Sequence, residues 1–492
     1  MGDPHVVVER LTALLGHTQV FEQQAIPERY LRDWSGDYAG EPVAVIRPGN
    51  VDETASAIKL CAQSGLAVIP QGGHTGLVGG ATANAAGQVI LSLERLNRIR
   101  TVDPVGMHMV VEAGCVLQNA KDSASEHGCL FPLALGAQGS CQIGGNVATN
   151  AGGLNVLRYG VMRNLVLGVE AVLPDGSVFS DLRPLRKNNT GLDLKQLFIG
   201  TEGTLGVVTA AVLKLFPQPR WVETLWLSGR SVEDIMVLYE RFQRAGGEFL
   251  SAFELITAPC LQLALTLDGH AENWKDVAAY PAHALIEFSA SGGPDLKPWV
   301  ETLASAVFEE GLATSGLHAQ SAEQARSMWR IRELMVEAQQ KRGLHLRTDV
   351  SVPIASMAAF IARADSALTS ALPGVEVLSY GHVGDGNVHV NALRPAGMDE
   401  STFRPALATL TEVINELVDT YGGSISAEHG IGLSKRAALE TRLSSVERVL
   451  MERIKHAIDP ASVMSPGRIF RDATLSDGIA TARGAATPSI QE

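Results

Sequence analysis

Cysteine is scarce in this 492-residue sequence: there are five, they form no C-x-x-C pair, and their number is odd. This usage excludes the disulfide framework of a small secreted domain and predicts reduced thiols in a cytoplasmic protein. The first residues, Met1–His5, also lack the basic and apolar segments of a secretory signal. Both observations favour a cytoplasmic location.

Long apolar runs and excess positive charge are missing as well. No apolar run approaches the roughly 20 residues of a membrane-spanning helix, which predicts that the chain has no transmembrane segment. The formal net charge is −13, which argues against nucleic acid as a main partner. At this length the chain should form two or more domains with a large core.

What the sequence does contain is a strong hairpin signal in Tyr380–Asn391. The pair Asp385–Gly386 favours a two-residue turn, which would place His382 directly opposite His389. By the two-residue period of a strand, both imidazoles share a face with a phenol and an amide. Two histidines on a polar sheet face are an ordinary alternative, so a metal site needs a further ligand.

That ligand is available in Ala427–Gly432, where a carboxylate stands beside a histidine between glycines. Two histidines and one glutamate leave coordination positions open, as in catalytic divalent sites. Glu428 would complete the ligand set with His382 and His389, and His429 would be a neighbouring base. A polar loop with a glycine-rich helix entry is the alternative.

Three glycine-rich segments lie in the first half of the chain. Gln71–Gly80 follows a predicted strand, and its backbone N–H groups could surround an anion such as a pyrophosphate. It fits neither the Rossmann nor the P-loop fingerprint, and a tight turn without a ligand is its alternative. The small residues of 136–153 and 198–206 would let the backbone approach something large and flat.

The character of the chain changes at Pro217–Pro219. Before it, a β-α-β unit precedes the first glycine segment; after it, strands and helices predict an α+β domain with an antiparallel sheet. A predicted helix over Ala322–Gln340 and a predicted strand over Leu344–Val352 would bring Arg332 and Arg347 towards one pocket. Two solvated arginines are the alternative.

Together these motifs closely resemble the flavin-dependent D-2-hydroxyacid dehydrogenases, a branch of the vanillyl-alcohol-oxidase-type FAD fold, over about residues 20–470. The resemblance implies an α+β fold: a two-subdomain FAD-binding domain at 1–217 and an α+β substrate (cap) domain with an antiparallel sheet at 218–425. A C-terminal helical segment at 426–472 would complete the active site and return to the FAD domain. The Ala/Thr/Ser/Gly-rich tail at 473–492 is expected to be disordered.

The resemblance also implies FAD and a divalent metal, usually zinc in the hydroxyglutarate branch. The FAD is expected to be non-covalent, because an imidazole at His74 can replace the donor and acceptor of the usual asparagine amide without bonding to the flavin. A D-2-hydroxy acid would lose a hydride to the flavin and a proton to a histidine base, giving the 2-oxo acid. The matching site residues are the metal ligands His382, His389 and Glu428, the base His429, and the substrate contacts Arg332, Arg347 and Asn391. The expected FAD contacts are Pro70, Gly72, Gly73, His74, Thr75, Gly76, Gly79, Gly80, Gly136, Gly139, Ser140, Gly144, Gly145, Asn146, Thr149, Asn150, Gly152, Gly153, Glu202, Gly206 and Val207.

The sequence departs from the hydroxyglutarate branch of this family at three positions. Val336 stands where a threonine is usual, and Arg347 where a lysine is usual, which puts 2-hydroxyglutarate itself in doubt. His74 replaces an asparagine, and related oxidases with Gly-Gly-His at this point attach FAD covalently.

Two other functions remain open. One is an FAD oxidase of another alcohol, and the other is the flavin subunit of a glycolate-oxidase-like complex. For a stand-alone dehydrogenase the expected electron acceptor is an electron-transfer flavoprotein, a quinone or a cytochrome, and a homodimer is possible.

Overall fold

A computed structural model describes residues 3–470, so the disorder predicted for 473–492 lies outside the described residues. Within residues 3–470, no helix combines the length and the apolar character needed to cross a membrane.

The first half of the chain forms two principal sheets with short helices between them. Its helices are α1 (Pro4–Leu15), α2 (Val51–Ser64), α3 (Leu117–Glu126), α4 (Ile143–Ala148), α5 (Val156–Tyr159) and α6 (Met162–Leu165). Its strands are β1 (Val20–Glu22), β2 (Ala44–Ile46), β3 (Ala67–Gln71), β4 (Gln88–Ser92), β5 (Ile99–Asp103), β6 (His108–Glu112), β7 (Cys129–Leu130), β8 (Val166–Val172), β9 (Val178–Asp181), β10 (Val207–Lys214) and β11 (Phe216–Pro217).

The first of these sheets has the order β1-β2-β4-β3, with β2, β4 and β3 parallel. The predicted β-α-β unit is therefore confirmed, with β4 between its two strands. Helix α2 connects β2 to β3 and has strong end signals: the Asn50 side chain caps its N-terminus, and Gly65 ends it in the left-handed conformation (φ 73°). The chain leaves β3 directly into the first glycine-rich segment. The second sheet, β5-β6-β10-β8-β9, is antiparallel.

The second half of the chain forms one large sheet covered by helices. Its strands are β12 (Trp221–Gly229), β13 (Leu250–Thr257), β14 (Ala282–Ala290), β15 (Ser315–His318), β16 (His345–Leu346), β17 (Val350–Ser351), β18 (Glu376–His382) and β19 (Asn387–Leu393). Its helices are α7 (Val232–Gly246), α8 (Ala258–Leu265), α9 (Lys275–Ala278), α10 (Lys297–Glu309), α11 (Ala322–Lys341), α12 (Met357–Ala371), α13 (Glu400–Thr420), α14 (Arg436–Arg442) and α15 (Ser445–Ile458).

This sheet has the order β15-β12-β14-β13-β18-β19-β16, with β17 also paired to β19. Its pairings are antiparallel, which confirms the predicted antiparallel sheet. Strand β13 is largely apolar, yet it carries Glu254 directly opposite His382 of β18. The alternation of a strand therefore directs a buried carboxylate and an imidazole to the same face.

The register of the hairpin differs from the predicted one. The structure pairs Tyr380, rather than His382, with His389. A 3₁₀ turn over Val383–Asp385 lengthens the connection, and Gly386 takes the positive φ (80°). The register moves by two residues, which preserves side-chain parity. The two histidines therefore still share a face, with ring centroids 6.4 Å apart.

The strand predicted over Leu344–Val352 is also interrupted, between β16 and β17. The Thr348 hydroxyl donates to the backbone oxygen of Val390 at 3.1 Å and accepts from its N–H at 2.8 Å. The Thr348 side chain thus makes the two hydrogen bonds to Val390 that a backbone residue of a paired strand would otherwise make. The predicted alternation fails here, because the neighbouring residues Thr348 and Asp349 are both buried.

The end of the described chain packs against the first half. Met464 forms a parallel bridge with Val68 and belongs to the hydrophobic core of the first half. The guanidinium of Arg468 is fully buried and donates to the backbone oxygens of Gly80 and Thr82 beside the first glycine segment. The domain limits inferred from the sequence stay predictions.

Candidate active site

A cavity of about 870 Å³ lies between the two halves of the chain. The glycine-rich segments line one side of it, and residues of α11, β18, β19 and the loop containing Glu428 line the other. All seven predicted metal, base and substrate residues border this one cavity. Most of the predicted FAD contacts do so too, the exceptions being Gly79, Gly139 and Asn150.

The three exceptions have other surroundings. Gly79 (φ +69°) packs against the Tyr38 ring, which would lie 2.6 Å from an added Cβ. The Asn150 side chain accepts a hydrogen bond from the Arg163 N–H at 2.9 Å. Gly139 is exposed beside the cavity. The structure therefore does not bring these three to the cavity wall.

Glycine is needed where the loops cross. A Cβ on Gly73 would stand 2.0 Å from the Ser140 backbone oxygen, and one on Gly153 would stand 2.1 Å from that of Ala134. A larger residue at Gly73 would push the first glycine segment away from the second, and one at Gly153 would push the end of the second segment away from the backbone of Ala134. The small residues thus bring two backbone segments into contact along the cavity wall.

His74, in the first glycine segment, has both ring nitrogens engaged. Its Nδ1 lies 3.0 Å from the backbone oxygen of Arg29, and its Nε2 lies 3.2 Å from the Thr82 hydroxyl. Burial lowers the pKa of this imidazole. The ring is therefore neutral and fixed by two protein partners.

Glu202 connects the third glycine segment to the loop that carries Glu428. Its two carboxylate oxygens accept from the N–H groups of Ile431 and Gly432, each at 2.7 Å. Burial raises the pKa of this carboxyl against the lowering effect of those bonds. The sequence predicted a cofactor contact here; the structure adds a link between the two halves.

The three predicted metal ligands converge. Ligand atoms of His382, His389 and Glu428 lie within 4.8 Å of one another. The Nδ1 of His389 faces the Thr348 backbone oxygen at 2.8 Å, and the Nδ1 of His382 is hydrogen-bonded to Glu254. Each histidine thus keeps Nε2 for a metal, the arrangement in which an acceptor at Nδ1 fixes ring and tautomer.

The electrostatics of the two histidines differ. Burial lowers the pKa of His389 to about 3, so this ligand is neutral. Burial also lowers the pKa of His382, but Glu254 more than compensates and raises it to about 9. Coordination of a metal by the Nε2 of His382 would therefore release a proton.

Asp349 organises the loop from the opposite side. Its carboxylate accepts from the N–H groups of Glu428 (3.1 Å) and His429 (2.7 Å). It also lies 3.6 Å from both the His429 Nδ1 and the Lys435 ammonium. Burial alone would raise the pKa of Asp349, but His429 and Lys435 hold it below its usual range. Asp349 therefore fixes the backbone at Glu428 and the orientation of the His429 ring.

Arg332 is buried and borders the same cavity as His382, His389 and Glu428. Its Nε donates to Glu254 at 2.8 Å, and its guanidinium carbon lies 4.7 Å over the Tyr380 ring. Within residues 3–470 its Nη groups make no hydrogen bond, and the residue borders the cavity. A substrate carboxylate could accept from them.

The other two predicted substrate contacts are already paired. Arg347 forms an ion pair with Asp37 at the cavity rim. The Asn391 amide accepts from the Thr348 N–H at 2.8 Å and donates to Gln339 (2.7 Å) and the Tyr380 hydroxyl (3.3 Å). Asn391 therefore has no unused N–H and keeps only acceptor capacity.

Glu254 and Asp349 were not predicted as site residues from the sequence, although both hold residues of the site in place. A signal existed for Glu254, because it is the one charged residue in the apolar run Leu250–Thr257. A carboxylate in such a strand is buried only with strong partners. Nothing in the local pattern says which partners those are.

Comparisons with known proteins match both halves of the chain. Residues 218–469 match the family described as FAD linked oxidases, C-terminal domain, and residues 42–181 match the FAD binding domain. A D-2-hydroxyglutarate dehydrogenase of Xanthomonas citri pv. viticola is 37% identical over 463 residues, covering 91% of this chain and 96% of the relative. One of Stutzerimonas stutzeri is 34% identical over 475 residues, covering 96% and 100%.

A solved structure of p-cresol methylhydroxylase with substrate bound matches with a TM-score of 0.76 at 18% identity, covering 95% of this chain and 97% of that one. This likeness shows the vanillyl-alcohol-oxidase-type fold. Together with the matches along the sequence, it places the chain in the family of FAD-dependent D-2-hydroxyacid dehydrogenases.

Proposed function

We propose that this protein oxidises a D-2-hydroxy acid to the 2-oxo acid, with help from a divalent metal. The observation that carries the proposal is the shared cavity: the glycine-rich wall faces a His-His-Glu cluster and a buried arginine. A redox cofactor, a Lewis acid and a carboxylate-binding group would then meet at one substrate.

The glycine-rich wall fits FAD. The backbone segments at Gly73 and Ser140 pack closely and have small side chains, so their main-chain groups line the cavity. These groups could hydrogen-bond to a long cofactor that carries a pyrophosphate. When bound, FAD supplies the hydride acceptor, while the protein orients it. We propose that the cofactor is held without a covalent bond, because both nitrogens of His74 are occupied.

The His-His-Glu cluster fits a divalent metal. Both Nε2 atoms are left for coordination, and Glu428 supplies a carboxylate with the cavity beside it. Three protein ligands with an open side are the catalytic pattern, and imidazole with carboxylate suits zinc among other divalent ions. When bound, the metal would lower the pKa of a substrate hydroxyl.

The remaining residues bind substrate and move its proton. Arg332 would bind the carboxylate through its Nη groups with charge-assisted hydrogen bonds. His429 would take the hydroxyl proton, oriented by Asp349 next to its Nδ1. The Oδ1 of Asn391 would make a further contact with the substrate, and so would Arg347 after exchanging its partner Asp37 at the cavity rim.

The partners and location inferred from the sequence stay proposals. An electron-transfer flavoprotein, a quinone or a cytochrome would reoxidise the flavin, and the protein would act as a monomer or a homodimer. The five cysteines are buried and unpaired, which supports the cytoplasmic location expected from their reduced state.

The experiment is a panel of D-2-hydroxy acids, with L-enantiomers as controls, assayed with an artificial dye under air and under nitrogen. We expect reduction of the dye with D-lactate or another D-acid, the same rate without oxygen, and little hydrogen peroxide. Peroxide formation from a simple alcohol would indicate the oxidase instead. A yellow protein inactive with every acid until a second protein is added would indicate the subunit of a complex.

A further inference from the structure

Glu254 has an unusual position for a carboxylate. It lies on the apolar strand β13, its side chain is fully buried, and it does not border the cavity. Its two oxygens have different partners: one faces the Nδ1 of His382, and the other accepts from the Nε of Arg332 at 2.8 Å. The carboxylate therefore bridges an imidazole and a guanidinium inside the protein.

This anion connects two parts of the site that come from distant elements. His382 ends β18, and Arg332 lies in the middle of α11. The Nδ1–H bond to Glu254 directs the Nε2 of His382 towards the other metal ligands. The Nε bond fixes the plane of the Arg332 guanidinium, and because that group is a rigid planar fork, it also fixes the directions of the Nη groups.

We propose that Glu254 is a positioning residue that holds His382 and Arg332 as one unit, and so sets the affinity for the metal and for the substrate carboxylate together. The proposal rests on the function proposed above. It assigns Glu254 no contact with substrate or metal. One substitution at Glu254, outside the cavity, should therefore change both the affinity for the metal and the affinity for the substrate carboxylate.

Glu254→Gln tests the coupling because it keeps the size and removes one of the two acceptors. An amide oxygen can accept from only one partner, and the NH₂ group would face the other donor. If it faces His382, the ring must present a lone pair at Nδ1 and a hydrogen at Nε2, the wrong tautomer for a metal. If it faces Arg332, the guanidinium loses its partner.

The matched control is Glu223→Gln. Glu223 and His318 form a carboxylate–imidazole pair at 2.7 Å in the same sheet, on β12 and β15. Neither borders the cavity. This substitution therefore removes the same kind of pair without touching the site.

The measurement uses full-length, FAD-loaded protein stripped of metal. Zinc affinity is measured by competition with a chromogenic chelator, and KM and kcat are measured after reloading with zinc. In Glu254→Gln we expect zinc affinity to fall about 10–100-fold and KM for the D-2-hydroxy acid to rise about tenfold or more. FAD content should stay that of the wild type, and Glu223→Gln should show neither change.

Two further variants separate failure of this inference from failure of the proposed function. His382→Ala must weaken zinc binding, and Arg332→Ala must raise KM, if the site is assigned correctly. If both do so while Glu254→Gln leaves zinc affinity or KM at its wild-type value, Glu254 does not couple the two and the positioning role is wrong. If His382→Ala leaves zinc affinity intact, the metal assignment itself fails.

If Glu254→Gln does not yield folded protein, Glu254→Asp tests the positioning role instead. It keeps the charge but, being one methylene shorter, cannot reach both donors. Zinc affinity and KM must then both change, because a carboxylate that reaches one donor no longer holds the two together, and the larger effect identifies the donor that lost its partner. A wild-type value for either would overturn the proposal.

Discussion

The Nε2 of His389 lies 4.0 Å from a carboxylate oxygen of Glu428. A strand of the large sheet and a loop distant in sequence therefore bring two candidate ligand atoms close together.

We expect His389→Ala to remove the bound metal and most activity while FAD stays bound, because the glycine-rich wall is formed by other segments. Metal analysis and the flavin spectrum of the purified variant check this. His318→Ala is the control, since that histidine lies in the same sheet away from the cavity. A variant at His389 with full metal content and normal turnover would contradict the ligand assignment.

His429 should behave differently from the ligands. His429→Ala should keep the metal and lower turnover roughly 10²–10⁴-fold, the usual contribution of general acid–base assistance. The measurement is kcat and kcat/KM against pH, together with metal content. A pH profile that keeps its wild-type shape in the variant would exclude this histidine as the base.

Val336 is 40% exposed and borders the cavity. Val336→Thr adds a hydroxyl there, and we expect it to shift preference towards the diacid D-2-hydroxyglutarate over D-lactate, measured as the ratio of kcat/KM values. The control is Val237→Thr, since Val237 is 44% exposed on α7 and does not border the cavity. An unchanged ratio in Val336→Thr would mean that this part of α11 does not contact the substrate side chain.

FAD should be released by acid. His74 is hydrogen-bonded through both nitrogens, so neither is free to bond to the flavin. After precipitation with trichloroacetic acid we expect the yellow colour in the supernatant and an unmodified protein mass. Flavin that stays in the pellet for the wild type but not for His74→Asn would show a covalent link.

Stability should fall at mildly acidic pH because of His283, a buried residue of β14 whose Nδ1 lies 2.9 Å from the Ser228 hydroxyl. Burial lowers its pKa from 6.5 to about 4. The unfolded chain therefore binds a proton that the folded chain does not, so the stabilisation is complete above pH 6.5 and is lost as pH falls towards 4. At roughly 1.4 kcal/mol per pH unit, this amounts to about 3 kcal/mol over the interval. The loss of unfolding free energy between pH 7 and pH 5, measured in urea, should be smaller in His283→Asn. Equal losses would contradict this assignment.

Much of the fold could be predicted because its signals are local. Helix α2 has Asn50 at one end and Gly65 at the other, and the structure places the helix between them. The face of the hairpin was predictable because strand parity survived a shift of two residues. Its register was not, since it depends on a 3₁₀ turn and on contacts of Gly386: an added Cβ there would meet the Val352 backbone oxygen at 2.4 Å.

The environment of the site could not be predicted for the same reason. His382, His389 and Glu428 are recognisable by type and spacing, but their partners are far away in sequence: Glu254 precedes His382 by 128 residues. The interruption at Thr348 is equally non-local, because a threonine in a strand-like segment gives no sign that its hydroxyl will replace a ladder bond. Long-range pairing of this kind is determined by the tertiary fold, about which the local sequence pattern carries little information.

The buried guanidinium of Arg468 has a consequence for how the protein is made. Its contacts with Gly80 and Thr82 join the first glycine segment to a residue almost 400 positions later. During translation, that segment leaves the ribosome before Arg468 and the rest of the second half have been synthesised. We therefore expect FAD to bind after translation, and a nascent chain that stops before Arg468 to lack bound flavin.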